Sequence, residues 1–307
     1  MLKPRALAPG DRLAVVAPAS PFNRDEFTQG IEEVRSLGFE PVYDDSVFAR
    51  QRYVAGPPQL RAAAIRQAWR DPAIKGLIAV RGGYGSAQLL PLLDRDEARA
   101  TRKPFIGYSD LTSILTFLTT GCGVIAFHGP MLDDRLSRGE AGYDRVSLMA
   151  AIGGREPMGE LAPAGLETVR PGEAAGLLLG GTVTQLLALL GTPFAFAPPP
   201  GFVLFFEEIG ERPYRIDRMV TQLRQTGLLA RAAAVVVGEL RNCDEPRSDL
   251  TARAVIAEVL ADFPGPVVFG FPSGHTSGPA MTLPFGVRCR VVADSRPRLV
   301  IEEAAVE

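Results

Sequence analysis

The chain predicts an α/β fold built on a mostly parallel sheet, and three observations carry that prediction. Short apolar runs alternate with stretches whose apolar residues recur at helical spacing, the pattern of strands joined through helical crossovers. Loops rich in glycine and polar residues follow several of those runs, where open sheets place their ligands. At 307 residues, 46% hydrophobic and 22% charged, the chain is long enough for one large domain or two of ordinary size, each with its own core.

Arg12–Ala17 is the first buried strand, followed by a helix from Asn23, its cap, to Leu37, with Gly38 as its stop. Phe39–Tyr43 is a second strand, Pro57–Trp69 a helix and Gly76–Val80 a third strand. After the turn Arg81–Gly85 come a helix over Ser86–Leu93, the strand Pro104–Tyr108, a helix over Asp110–Thr119 and the strand Val124–Phe127. Residues 136–173 change in composition to Gly, Pro, Ala and Glu, and read as an interdomain connection with one helical patch at Arg145–Ile152. This divides the chain into 1–135 and 174–307. The second part runs from Ala174–Thr182 through a helix to Leu190, the strand Phe202–Phe206 and an amphipathic helix over Tyr214–Leu229. A strand at Ala232–Val237, a helix at Leu250–Leu260, a strand at Val267–Phe271 and a C-terminal β-hairpin turning at Asp294–Pro297 complete it.

Bulk properties exclude several function classes. A net charge of -2 gives no basic footprint for nucleic acid. No run is apolar enough to cross a bilayer, and the N-terminus, with Asp11 and Arg12 before a short apolar run, lacks a signal peptide's hydrophobic segment. A cytoplasmic protein is therefore expected. Cys122, Cys243 and Cys289 are odd in number and far apart, which suits reduced core thiols. With only His128 and His275 available, any histidine chemistry has two candidates.

Ser109 stands where a strand turns sharply into a helix. That geometry lifts a hydroxyl off the sheet beside free helix N–H groups and makes a nucleophile, although Ser109 and Asp110 serve equally well as helix caps. The turn Arg81-Gly82-Gly83-Tyr84-Gly85 brings backbone N–H groups close to an anion or is a structural turn, and its spacing fits neither the dinucleotide nor the P-loop motif. Glu207, Glu208 and Glu211 follow an apolar strand, as a solvated turn or as a source of one functional carboxylate. His275 lies in a Gly/Ser loop, poised or exposed, whereas His128 has the apolar neighbours of a buried structural histidine. The chain order Ser109, Glu207, His275 contains a nucleophile, an orienting carboxylate and a base. There is no clustered set of metal ligands in the sequence.

The segments RGGYGSAQLLPLLD, PFIGYSDLTSIL, GGTVTQLLALLGTP, LFFEEIGERPYRIDRM and SGHTSGPAMTLPFG, in this order and running nearly end to end, resemble the LD-carboxypeptidases. These serine peptidases include relatives that confer immunity to microcin C. The resemblance implies an N-terminal parallel-sheet, flavodoxin-like domain, a smaller strand-rich α/β C-terminal domain, a site between them and a homodimer. It implies Ser109 as nucleophile, Glu207 as triad carboxylate and His275 as base, with an oxyanion hole from the N–H groups of Asp110 and Gly83. Gly82 and Tyr84 of the same turn are expected substrate contacts. The implied reaction is metal-free and cofactor-free removal of the terminal D-alanine from a muropeptide tetrapeptide in peptidoglycan recycling. Two alternatives are a microcin-type peptidase acting on a nucleotidyl-peptide and a small-molecule binding protein without catalysis. Trp69, the only tryptophan, sits in a helix pattern and reads as packing, which favours the muropeptide.

Overall fold

Strands β1 (Arg12–Val16), β3 (Ile74–Ala79), β4 (Phe105–Gly107) and β5 (Ala126–His128) are largely apolar and almost wholly buried because helices cover both faces of their sheet. β2 (Glu40–Val42) is the exposed edge. The computed structural model describes all 307 residues. Helix α1 (Arg24–Ser36) starts where the Asn23 side chain accepts from the N–H groups of Asp25 and Glu26, and it buries Phe27, Ile31 and Val34. Helix α2 (Pro58–Arg70) begins on a proline suited to the first turn and buries Ile65 and Trp69. Trp69 is 2% exposed, a core residue.

The stretch after Gly85 is a 3₁₀ turn over Ser86–Leu92 rather than an α-helix, because Pro91 removes a backbone donor. A short helix with no apolar stripe, α3 (Arg95–Thr101), follows an Asp94 cap. The helix after Ser109 is composite: a 3₁₀ turn over Ser109–Leu111, α4 (Thr112–Thr116) and a widened turn over Phe117–Gly121.

The second half contributes α5 (Arg145–Gly153), β6 (Gly159–Leu161), β7 (Glu167–Arg170), β8 (Gly172–Thr182), α6 (Val183–Ala188) and β9 (Phe202–Glu207). It continues with α7 (Pro213–Gln225), α8 (Leu228–Arg231), β10 (Ala232–Gly238), α9 (Ala252–Val259), β11 (Val267–Phe271), β12 (Leu283–Phe285), β13 (Arg288–Ala293) and β14 (Arg298–Ile301). The amphipathic helix divides into α7 and α8 at Gly227, whose φ of +77° ends the first segment. The second sheet has eight strands in the order β6-β14-β13-β8-β9-β10-β11-β7. Its outer strands β6 and β7 both come from residues 136–173. They are short and mostly half-buried, so they carry little hydrophobic pattern.

The first sheet has the order β12-β5-β4-β3-β1-β2, parallel except for β12, which pairs antiparallel with β5. The chain thus leaves β11 in the second sheet and returns one strand to the first. The connecting loop, which carries His275, bridges the two halves. One apolar cluster runs through both. No helix is long and apolar enough to cross a membrane.

Candidate active site

Ser109 leaves the end of β4 with φ of +64°, in the left-handed region that a non-glycine residue enters at a cost of about 1–3 kcal/mol. Neighbouring groups hold it there. The buried Asp110 carboxylate accepts from the N–H of Ser86 at 2.8 Å, and the Ser86 hydroxyl donates to the Asp110 carbonyl at 2.6 Å. Burial raises the Asp110 carboxyl above its ordinary value, opposed by those Ser86 hydrogen bonds and by Arg61.

The Arg81–Gly85 turn lies directly against this elbow. A Cβ on Gly82 would sit 2.7 Å from Ser109 Cβ, 3.0 Å from its Oγ and 3.3 Å from the Asp110 nitrogen. Only glycine permits that approach. Gly83, at φ +96°, packs on Ser20, whose hydroxyl accepts from the Tyr84 N–H at 3.0 Å and donates to the Tyr53 carbonyl at 3.0 Å. The N–H groups of Gly83 and Asp110 donate to no other protein group, and both residues line the same cleft. Tyr84 is half exposed, its ring edge-on to Tyr53, and is not among the cleft-lining residues. Gly82→Ala is expected to leave the protein folded and to lower turnover by about 10²-fold by displacing the Ser109 side chain. Steady-state kinetics alongside a melting curve check this, and unchanged kcat would contradict it.

Glu207 ends β9 in register with Thr182 at the end of β8, whose hydroxyl donates to Glu207 Oε1. Glu207 Oε2 lies 2.8 Å from His275 Nδ1 and accepts from the His275 backbone N–H at 3.0 Å. Burial alone would push this carboxyl up, yet the His275 charge and hydrogen bond, aided by Thr182, hold it well below the usual carboxylate range. Burial likewise opposes an imidazolium at His275, and Glu207 outweighs it, so the ring's pKa is raised. The Nδ1 contact leaves Nε2 as the nitrogen available for proton transfer. His275 and Ser109 line one cleft of about 640 Å³, with Glu207 behind the histidine at 1% exposure. The adjacent Glu208 accepts instead from the N–H of Thr184 at 3.0 Å and from its hydroxyl at 2.5 Å.

His128 is fully buried against Phe205 and Phe285, with Nδ1 2.9 Å from Ser273 Oγ. Burial pushes its pKa down to about 4, which keeps it neutral. Thr182, Ser20, Glu26 and Asp133 join the site without a signal in the sequence. The last two line the cleft beside Arg81, whose Nε is 3.5 Å from Asp133. Burial and the neighbouring Glu26 push Asp133 up to about 7. Nothing in the local sequence marks these two, since α1 and the loop after β5 meet only in the fold. The three cysteines are free and buried.

Fold and cleft together define the class: a two-domain α/β protein with a Glu–His pair and a strained serine at the junction of its halves. The chain belongs to the LD-carboxypeptidase family, for residues 13–129 match the model of the LD-carboxypeptidase N-terminal domain and residues 175–291 that of the LD-carboxypeptidase C-terminal domain. It is 37% identical to a putative carboxypeptidase of Streptomyces coelicolor, over 96% of this chain and 94% of that protein. It is 32% identical to a probable murein peptide carboxypeptidase of Bacillus subtilis, over 99% of this chain and 95% of that one. The solved structure of a microcin C7 self-immunity protein bound to glutamyl sulfamoyl guanosine covers both chains fully, with a TM-score of 0.90 at 23% identity. That last likeness is one of fold.

Proposed function

We propose that this protein is a serine LD-carboxypeptidase that removes the terminal D-alanine from a muropeptide tetrapeptide in peptidoglycan recycling. The observation that carries the reading is that His275, hydrogen-bonded from behind by the buried Glu207, lines one cleft with a serine held at φ +64°. In the mechanism, His275 Nε2 takes the Ser109 proton as Oγ attacks the carbonyl of the penultimate residue. The N–H groups of Asp110 and Gly83 receive the developing oxyanion. His275 returns the proton to the leaving D-alanine nitrogen, and the C–N bond breaks to give an acyl-enzyme. Water, deprotonated by the same histidine, then hydrolyses the ester and regenerates Ser109. Every step uses groups of this chain, so no metal or cofactor enters.

The relative's name, a murein peptide carboxypeptidase, supports the substrate class. So does the cleft lining, where Glu26, Asp133, Asp134, Glu208 and Glu211 suit the free ammonium groups of a peptide stem and Arg81 suits a carboxylate. Trp69, being buried, is not available to stack on a nucleotide. A cytoplasmic location and a homodimer are part of the same proposal. The test is D-alanine release from a tetrapeptide containing a diamino acid, with and without a chelator. Release at the same rate with chelator is expected. No release, with cleavage of a nucleotidyl-peptide instead, would replace the substrate. Binding without cleavage of either would make this a non-catalytic binding protein.

A further inference from the structure

Arg135 has no exposed side-chain surface and lies at the seam of the two halves. Burying a guanidinium costs several kcal/mol unless its donors are all met. All five N–H groups of Arg135 have acceptors. Nε donates to the Tyr108 hydroxyl at 3.3 Å, Nη1 to the carbonyls of Gly142 and Gly278 at 3.2 Å each, and Nη2 to those of Gly274 at 2.8 Å and Thr276 at 3.1 Å. None of these acceptors is a carboxylate. The one nearby, Asp134, is 3.9 Å away with a side chain 54% exposed. Neutralising an acid is therefore not what this charge is built for.

What the acceptors share is their place. Gly274, Thr276 and Gly278 alternate through the loop from β11 to β12, so Arg135 grips the backbone on both sides of His275. Tyr108 immediately precedes Ser109, and its ring meets that of His275 edge-on at 5.0 Å between centroids. Arg135 belongs to the segment that follows β5 of the first sheet, whereas the loop it grips leaves the second. A planar fork of five donors fixes a direction as well as a distance, which a point charge does not.

We propose that Arg135 is a positioning residue whose guanidinium sets the His275 loop against the strand end that carries Ser109, and so holds base and nucleophile in the cleft they share between the two halves. The inference rests on the serine mechanism proposed above. Arg135→Lys keeps the charge but supplies three donors from one atom, leaving at least two of the five acceptors without their partner.

The test compares native protein and Arg135→Lys by melting, by the rate at which a fluorophosphonate probe labels Ser109, and by kcat and KM for D-alanine release. Labelling needs an activated serine but no peptide, so it is independent of the substrate assignment. The lysine variant is expected to fold, with labelling and kcat each about 10²-fold lower and KM within a few-fold of native. Millimolar guanidinium is expected to restore part of the labelling in Arg135→Ala, where ammonium does not. Should neither variant fold, Tyr108→Phe, which deletes one acceptor and leaves the charge, is expected to fold and to label more slowly than native. Native labelling by a folded Arg135→Lys would overturn the proposal, as would losses that only track the unfolded fraction. Native protein that is labelled but releases no D-alanine would remove the substrate assignment and leave the Arg135 comparison intact. Native protein that is not labelled would remove both.

Discussion

Ser109→Ala is expected to lower D-alanine release by about 10⁴-fold or more and to leave the Glu207–His275 pair in place. The loss is this large because the mechanism has no substitute for Oγ. The residual rate would come from the N–H groups of Asp110 and Gly83 and from substrate binding alone. Ser109→Gly should be equally inactive but should melt higher than native protein. At φ +64° a side chain costs about 1–3 kcal/mol, which glycine avoids, while its greater freedom in the unfolded chain returns up to about 1 kcal/mol. A net gain near 1 kcal/mol is therefore the expected reading of the melting curves. The pair of variants separates two claims. Release that persists in Ser109→Ala would move the nucleophile elsewhere, whereas a Ser109→Gly protein that melts lower than native would show that the elbow stores no strain. Substrate binding by the inactive variants should survive, since binding draws on the whole cleft.

The parts of this molecule legible in its sequence are those whose environment is set locally. Strands β1, β9, β10 and β11 are nearly continuous apolar runs because both of their faces are covered, and α1 is marked by its Asn23 cap. Edge strands β6 and β7 are only three and four residues long, mostly half-buried, and have no apolar run to read. β12 is three residues long and takes its partner, β5, from the other half of the chain. The same division holds in the cleft. Ser109, Glu207 and His275 each follow a strand that could be recognised, and the structure brings Glu207 and His275 into hydrogen bond. Thr182, Asp133 and Arg135 matter only through segments far away in sequence. Arg135 reaches Thr276 across 141 positions, and no local pattern encodes such a contact. Tyr84 shows the converse. Arg81, Gly82 and Gly83 before it in the same turn line the cleft, yet its own ring turns to Tyr53 instead.

Glu207→Gln is expected to cost about 10⁴-fold in kcat and to move the acid limb of the pH–rate profile toward lower pH. His275 works as a base only when neutral, so kcat/KM should rise with pH through the pKa of its ring. In the native protein Glu207 raises that pKa above the ordinary 6.5 against the opposing effect of burial, and the limb should lie correspondingly high. With glutamine in place the attraction is lost and burial remains, which drives the ring below 6.5. The same pair predicts how stability depends on pH. A raised histidine pKa stabilises the fold fully below 6.5 and loses that contribution as pH rises through the folded value. A depressed glutamate pKa stabilises it above 4.5 and loses that contribution as pH falls toward the folded value. The melting difference between native protein and Glu207→Gln should therefore be widest between about pH 4.5 and 6.5 and should shrink on either side. An acid limb that stays fixed in Glu207→Gln would show that the titrating base is not the ring this carboxylate holds.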